Sequence, residues 1–201
     1  MKKLNKKEIG AVTDFLFETG MLAKTPRSGF FFLGSGEQSV AEHTNRVCYI
    51  GITLAHMIGN VDTAKILEMC LLHDLAEARV SDLNYIHQKY NERNEKKAVN
   101  DLTSEIFFGK NIKDTLEEYE DRKSIEAKIA KDADNLEFMM SLKEQVDIGN
   151  SRASTWIGNI VKRLKTEAAK ALAEQILIID SDRWWFGDKE DEWWVDRQKK
   201  I

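Results

Sequence analysis

The chain has 201 residues, of which 42% are apolar and 32% charged, and its formal net charge is -4. A chain of this length can bury about 70% of its unfolded surface in one core. The composition is that of a soluble globular protein and excludes disordered and membrane-spanning classes. The negative charge argues against a nucleic-acid polymer as the main partner, because binding the phosphate backbone requires a basic surface.

The N-terminal sequence MKKLNKKEIG is basic but is followed by no apolar segment, and no run of 18 apolar residues occurs in the sequence. These features do not fit a signal peptide or a membrane-spanning helix, so we expect a cytoplasmic protein. The two cysteines, Cys48 and Cys70, lie in apolar helical stretches. We expect both to be free thiols without a catalytic role.

Helical periodicity runs through nearly the whole sequence, and the single proline, Pro26, leaves few helix breakers. This pattern predicts an all-α fold. A capping box formed by Ser39 and Glu42 predicts the start of one helix at about Val40. The helices are expected at about residues 6–19, 40–59, 62–79, 88–108, 121–147 and 151–179.

Two segments are expected to lie outside this helical framework. Residues 24–38 contain the only proline and several glycines, which predicts an irregular loop. Residues 181–201 hold four of the five tryptophans. We expect one domain over residues 1–180 and a Trp-rich tail over 181–201 that packs on the domain or at a dimer interface.

The most informative feature is the pair His73-Asp74, which stands inside the apolar run 66–76 and is followed by Glu77. Unpaired polar groups are costly to bury, so this pair needs a compensating partner. A buried hydrogen bond between the two side chains is one account, and a divalent metal ion is the other. On a continuous helix Glu77 would share a side with both residues, and three ionisable groups together favour a site.

Further candidates are dispersed along the chain. His43 shares the apolar stripe of Val40 and Val47 and should point toward the core, where a hydrogen-bonded structural histidine is the simpler interpretation. In the stretch Lys131-Asp132-Ala133-Asp134, periodicity favours Asp132 as the inward carboxylate. The remaining histidines, at positions 56 and 87, have no neighbours typical of metal ligands.

The order of these residues resembles the HD-domain superfamily of metal-dependent phosphohydrolases, in the branch that contains the 5′-deoxynucleotidases. The matching stretches are TPRSGF, SVAEHTNRV, LLHDLAEARVSDL and AKDADNLEFM, which span roughly residues 22–140. The resemblance implies a helical bundle of the HD-domain type and a homodimer. It also implies a metal site and two catalytic carboxylates, with the metal held by His43, His73, Asp74 and Asp134 and catalysis assigned to Glu77 and Asp82.

This ligand set combines two neutral imidazoles with two carboxylates. Such a shell suits Mn²⁺, Co²⁺, Fe²⁺ or Ni²⁺ better than Ca²⁺, and it lacks the thiolates of a structural zinc site. A bound ion of this kind activates water and neutralises phosphoryl oxygens. Together with this chemistry, the resemblance implies removal of phosphate from (deoxy)nucleoside 5′-monophosphates by a metal-activated water.

The loop before His43 is the expected substrate-binding segment. Lys24 and Arg27 flank Pro26, and cations at these positions can meet a phosphate group. In the resembled branch a basic residue, usually arginine, occupies the position of Lys24. Some members follow it with an aromatic residue, but here the next residue is Thr25, which weakens the case for base stacking there.

Two alternatives to this enzyme remain open from the sequence. One is a non-catalytic helical protein that uses a metal-clamped pocket to bind or sense a nucleotide. The other is a hydrolase that acts on a different phosphorylated small molecule. Glu77 and Asp82 favour an enzyme, since a metal clamp does not require them.

Overall fold

The computed structural model describes residues 4–196, and within this range it contains α-helices, short 3₁₀ turns and no β-strand. The prediction of an all-α fold is therefore confirmed. The α-helices are α1 (Lys6–Thr19), α2 (Phe30–Leu33), α3 (Val40–Ile58), α4 (Thr63–Leu72), α5 (Glu77–Val80), α6 (Tyr85–Tyr90), α7 (Glu95–Thr103), α8 (Gly109–Asp121), α9 (Ile125–Asp147), α10 (Ser151–Val161), α11 (Glu167–Ile178) and α12 (Arg183–Phe186).

Except for α8, the long helices begin at side chains that accept hydrogen bonds from otherwise unpaired N–H groups. At the start of α3, the predicted capping box is present: Glu42 N–H donates to the Ser39 hydroxyl, and Ser39 N–H donates to the Glu42 carboxylate. Asn5 and Glu8 form the same arrangement at α1. Since a cap of this kind contributes about 1 kcal/mol, these helix starts are encoded locally.

Helix α9 is the centre of the fold. It packs against α3, α4, α8, α10 and α11, so residues on several of its sides are buried. The core around it is apolar and contains side chains from α3, α4 and α10. Among its fully buried members are Leu54, Ile66, Met69, Ile129, Leu136, Met139, Leu142 and Ile160.

A second, smaller cluster joins α1 to α7, α8 and the end of α4. Its buried members are Phe15, Leu72, Leu75, Leu102, Ile106 and Ile112. The inward placement that the periodicity predicts for Ala98, Leu102 and Ile106 agrees with their low exposure, between 5% and 6%. The cluster packs Leu72 and Leu75, the residues on either side of His73-Asp74, against neighbouring helices.

The helix predicted over residues 62–79 is interrupted at the His73-Asp74 pair. Helix α4 ends at Leu72, and α5 starts only at Glu77. In between, the backbone hydrogen bonds span three residues instead of four, as in Leu75 N–H to the Leu72 carbonyl and Glu77 N–H to the Asp74 carbonyl. This tighter winding is 3₁₀-like and places residues three apart on one side. Asp74 and Glu77 therefore lie on one side, as predicted. They do so because of this tighter turn and not because of a continuous α-helix.

Two other predicted helices are also divided. The segment 88–108 contains the end of α6 and all of α7, and the segment 151–179 contains α10 and α11 with a break at residues 162–166. Helix α8 was absent from the predicted set.

The C-terminal tail contains α12 and a 3₁₀ turn at Glu192–Trp194, and its last five residues lie outside the described range. Trp185 stacks on Phe186, and Trp194 contacts both rings edge to face. Trp184 is 86% exposed. Packing of this tail on the domain or at a dimer interface remains a prediction.

Across residues 4–196, no helix has both the length and the apolar character required to cross a bilayer.

Candidate metal centre

Three packed helices bring together side chains that are distant in the sequence. His43 lies in the first turn of α3, His73 follows the last residue of α4, and Asp134 lies midway along α9. Because α3, α4 and α9 pack on one another, their facing sides meet at one point. Asp74 is placed beside them by the turn that follows His73. The ligand candidates therefore come from rigid elements, except for Asp74.

The polar atoms at this point are close enough to share one cation. His43 Nε2 lies 3.3 Å from His73 Nε2 and 3.2 Å from Asp134 Oδ1. Within the described part of the chain, the ligand atoms of His43, His73 and Asp134 form one group in which all lie within 4.8 Å of one another. Asp74 Oδ2 adjoins this group, 3.3 Å from His73 Nε2 and 3.7 Å from His43 Nε2. Ligand atoms about 2.1 Å from a metal ion are roughly 3.0–3.4 Å apart, which matches the shorter of these separations.

Both imidazoles are held by their other ring nitrogen. His73 Nδ1 lies 2.8 Å from the Cys70 carbonyl oxygen, and His43 Nδ1 contacts the Glu137 carboxylate. A carbonyl and a carboxylate accept, so each Nδ1 is the donor, and a ring in its neutral form presents a lone pair on Nε2. Two such lone pairs facing each other at 3.3 Å repel unless a proton or a metal cation lies near them. The donor set therefore fits a divalent metal ion.

The pKa shifts in the cluster show that its carboxylates favour a positive charge beside them. Burial and the Arg27 charge lower the pKa of His43, but hydrogen bonds with Asp134 and Glu137 outweigh them and raise it to about 9. Burial lowers the pKa of His73, although Asp74 and Asp134 oppose this effect. Burial raises the pKa of Asp134, but Lys131 and the two imidazoles bring it well below its usual range.

The structure separates the two aspartates of α9. Asp132 is fully buried and accepts hydrogen bonds from the backbone of Lys165 and Thr166 and from the Thr166 hydroxyl. It therefore anchors the start of α11 and lies away from the histidines. Asp134 contacts them directly. Periodicity predicts that Asp132 points inward, and its burial agrees with that prediction. The contacts of the two aspartates nevertheless favour Asp134 as the metal ligand.

A cleft of about 290 Å³ opens next to the cluster. Asp74, Glu77, Asp82 and Asp134 supply carboxylates to its wall. Its other lining residues come from α2, α6, α9 and adjoining loops, and include the cations Arg27, Arg93, Lys131 and Arg163 and the aromatic residues Phe30, Tyr85 and Phe138. A cleft with this mixture of charges can hold an anion beside a metal ion.

The two predicted catalytic carboxylates differ in their surroundings. Glu77 is 7% exposed, and its Oε1 atom lies 3.5 Å from Arg93. Its Oε2 atom is buried and has no hydrogen-bond partner among residues 4–196. Burial, together with Asp74 and Asp82, raises the pKa of Glu77 to about 9. Asp82 follows α5 in a loop and accepts a hydrogen bond from Ser28 N–H.

Of the two predicted phosphate-binding cations, only Arg27 lines the cleft. Its Nη1 atom lies 3.4 Å from Asp74 Oδ2 and 3.7 Å from Asp82 Oδ2. An isolated antiparallel bridge between Pro26 and Ser39 holds this position, with Arg27 N–H donating to the Gln38 carbonyl. Lys24 is exposed and absent from the cleft wall.

Thr25 does not face the cleft either. It is buried, and its hydroxyl donates to the Met21 carbonyl. The aromatic residues that line the cleft are instead Phe30, from the predicted loop, and Phe138 and Tyr85, which the sequence did not single out.

Sequence reasoning also missed Glu137, which contacts His43. A signal was present, since Glu137 stands between Leu136 and Met139 on the buried side of α9, three positions after Asp134. A charged residue in such an environment needs a partner, as at His73-Asp74. Arg93, Lys131 and Arg163 gave no signal, because surface cations are common in helical proteins.

Comparison with known proteins agrees with this geometry. A family model described as "HD domain" matches residues 19–177, and the chain belongs to that family. It is 33% identical over 144 residues to the 5′-deoxynucleotidase HDDC2 of Dictyostelium discoideum, covering 65% of this chain and 75% of the relative. It is 30% identical over 140 residues to the 5′-deoxynucleotidase HDDC2 of Danio rerio, covering 67% and 69%. The predicted resemblance is thereby confirmed.

The fold is similar to that of solved structures. A conserved hypothetical protein from Pyrococcus furiosus superimposes with a TM-score of 0.70 and 26% identity, over 83% of this chain and 99% of the other. The match includes nearly all of that chain, so the two proteins share most of their helical fold.

Proposed function

We propose that this protein is a metal-dependent phosphohydrolase that removes phosphate from (deoxy)nucleoside 5′-monophosphates. The observation that carries the proposal is the pair of imidazole Nε2 atoms that face each other beside Asp134, at the edge of a cleft that contains Glu77 and Arg27. Relatives named as 5′-deoxynucleotidases support the substrate class.

The metal would be held by His43, His73, Asp74 and Asp134. Their nitrogen and oxygen donors suit Mn²⁺, Co²⁺, Fe²⁺ or Ni²⁺. When bound, such an ion lowers the pKa of water and neutralises charge on phosphoryl oxygens. The family implies a divalent ion, and its identity is part of the proposal.

Glu77 is the proposed proton acceptor. Its Oε2 atom has no hydrogen-bond partner among the described residues, so one oxygen is available to a reactant in the cleft. The raised pKa keeps a proton on this carboxyl at neutral pH, and a cation bound beside it would lower that pKa and leave a carboxylate that can accept a proton. Asp82 is the second proposed catalytic carboxylate. Through its contacts with Ser28 and Arg27 it also fixes the loop across from the metal cluster.

Arg27 is the proposed phosphate-binding cation. Its guanidinium lies against Asp74, so a phosphate near the metal ligands would lie within its reach. A planar guanidinium can bind two phosphate oxygens at once. Lys131, whose ammonium lies 2.6 Å from Asp134 Oδ2, offers a second positive charge on the same wall.

The non-catalytic sensor is less well supported. A clamp or sensor would not need a buried glutamate with an unpaired oxygen beside the metal ligands, because this arrangement costs stability. Hydrolysis of another phosphorylated small molecule remains the second candidate, since Thr25 is turned away from the cleft and provides no base-stacking surface. The homodimer and the cytoplasmic location expected from the sequence remain predictions.

A phosphate-release assay tests the proposal. Purified protein is freed of metal, then supplied in turn with each of the four candidate ions and with a panel of nucleoside monophosphates and sugar phosphates. We expect phosphate release from deoxynucleoside 5′-monophosphates, and we expect His73→Ala to lose both metal binding and turnover. Bound metal without phosphate release from any compound would support the sensor instead.

A further inference from the structure

The side chain of Glu137 is fully buried and surrounded by polar groups. His43 Nδ1 contacts its Oε2 atom. Its Oε1 atom accepts hydrogen bonds from Arg46, from Gln38 Nε2 at 2.7 Å and from the Ser141 hydroxyl at 3.0 Å. Every contact therefore comes from a donor, which is the environment of an ionised carboxylate.

The two oxygens of the Glu137 carboxylate have different partners. Arg46 donates from Nε at 3.0 Å and from Nη2 at 2.9 Å, and both donors reach the same Oε1 atom. A simple buried ion pair would engage both carboxylate oxygens, one for each guanidinium nitrogen. Among the described residues, only His43 contacts Oε2. The arrangement points one oxygen of Glu137 at the imidazole.

We propose that Glu137 is a positioning residue that fixes His43 for metal binding. By accepting the Nδ1 proton, it selects the tautomer in which Nε2 carries the lone pair, and it holds the ring in the plane that points this lone pair at the metal cluster. Arg46, Gln38 and Ser141 fix the carboxylate in turn. This inference rests on the proposed metal site.

Glu144 provides a matched control. It is the second carboxylate partner of Arg46, with contacts of 2.5 Å to Nη1 and 3.3 Å to Nη2. It lies on the same helix as Glu137 and is more exposed, and its side-chain hydrogen bonds in the described part of the chain are with Arg46 and not with His43. Substitution of Glu144 disturbs Arg46 without removing the acceptor of the histidine.

The test compares Glu137→Gln with Glu144→Gln and with the unmodified protein, using Co²⁺ as the probe. Metal affinity is measured by competition with a chelator, and the visible absorption of bound Co²⁺ reports the ligand geometry. We expect Glu137→Gln to weaken Co²⁺ binding by about 10- to 100-fold and to change the spectrum. We expect Glu144→Gln to leave both unchanged.

Three outcomes would overturn the inference. Equal losses in the two variants would assign Glu137 a purely structural role. Unchanged affinity in Glu137→Gln would show that His43 needs no carboxylate partner. Failure of the unmodified protein to bind Co²⁺ would remove the proposed metal site, and this inference would fall with it.

A measurement on the unmodified protein covers the case in which Glu137→Gln does not fold. Nitrogen chemical shifts of the histidine rings, recorded with diamagnetic Zn²⁺ bound, distinguish the two tautomers. We expect His43 to carry its proton on Nδ1. A proton on Nε2 instead would contradict the proposed role of Glu137.

Discussion

Asp132 and Asp134 are separated by one alanine on α9 and have different neighbours. Asp134 meets the two histidines, whereas Asp132 accepts the N–H groups that precede α11. Both are shielded from solvent, so burial alone does not distinguish a metal ligand from a helix anchor. Their partners do.

This difference predicts opposite effects of two substitutions. Asp132→Ala removes a buried ionic acceptor from Lys165 and Thr166 and should lower the free energy of unfolding by about 2–3 kcal/mol, with metal affinity retained. Asp134→Ala should abolish metal binding. Urea denaturation of the metal-free proteins and a Co²⁺ titration provide the two measurements. Loss of metal in Asp132→Ala, with binding retained in Asp134→Ala, would reverse our assignment.

Arg27 and Lys24 allow a second test at single residues. Because Arg27 lines the cleft and Lys24 does not, Arg27→Ala should lower kcat/KM for deoxynucleoside 5′-monophosphates by about 10- to 100-fold, the loss expected for a charged hydrogen bond. Lys24→Ala should change it by less than about 3-fold. Steady-state kinetics under one metal are sufficient. A larger effect at Lys24 would favour the position indicated by the sequence resemblance.

At the scale of helices, the close approach of α3 and α4 determines where His43 and His73 meet. Gly51 of α3 lies at this contact, and a Cβ atom there would be 2.7 Å from Cys70 Sγ and 3.3 Å from Ile66 Cγ2. The two helices pack this closely because position 51 has no side chain. A larger residue would push α4 away from α3.

We therefore expect Gly51→Ala to destabilise the protein by about 1–3 kcal/mol, as overpacking does. Gly10→Ala is the control, because a Cβ atom at this position of α1 meets no atom of residues 4–196 within 4 Å. There alanine should stabilise by about 0.5–1 kcal/mol through its higher helix propensity. Thermal unfolding of both variants gives the comparison. A stable Gly51→Ala protein would mean that α3 and α4 separate easily.

Sequence patterns located the helices whose ends are encoded locally. The capping box at Ser39 predicts the start of α3, and the structure begins that helix there. Helix α1 is predicted by its periodicity, and it begins at Lys6, after a cap at Asn5 that the structure adds. The interruption after Leu72 and the division before α11 were not predicted. Each depends on tertiary contacts, namely the clustering of Leu72 and Leu75 with other helices and the acceptance of backbone N–H groups by Asp132.

The same distinction applies to the candidate site. The residues placed together by the structure, His43, His73, Asp74 and Asp134, could be proposed because their order in the sequence resembles a family. Glu137 could not, since its role depends on which side chain packs against it. The exclusion of Lys24 from the cleft likewise depends on the path of the loop, which the short bridge between Pro26 and Ser39 determines.

For the whole molecule, the proposed metal connects the helices that form the core. A ligand that binds only the folded protein stabilises it, by about 2.7 kcal/mol at a concentration 100 times its Kd. For a chain of this size we expect Tm to fall by about 5–10 °C when a chelator removes the metal, and to recover on its return. Scanning calorimetry measures the shift. His73→Ala should show no response to added metal, and an equal response would place the stabilising ion elsewhere.

The two imidazoles differ in what secures them, and this difference affects how the site tolerates mutation. His73 donates to the backbone carbonyl of Cys70, which every amino acid at position 70 would still provide. His43 donates to the side chain of Glu137, which a single codon change can remove. A substitution at position 137 can therefore weaken metal binding by His43, while His73 keeps its orientation. In diverged relatives, a change at the position of Glu137 should be an early mark of lost metal affinity.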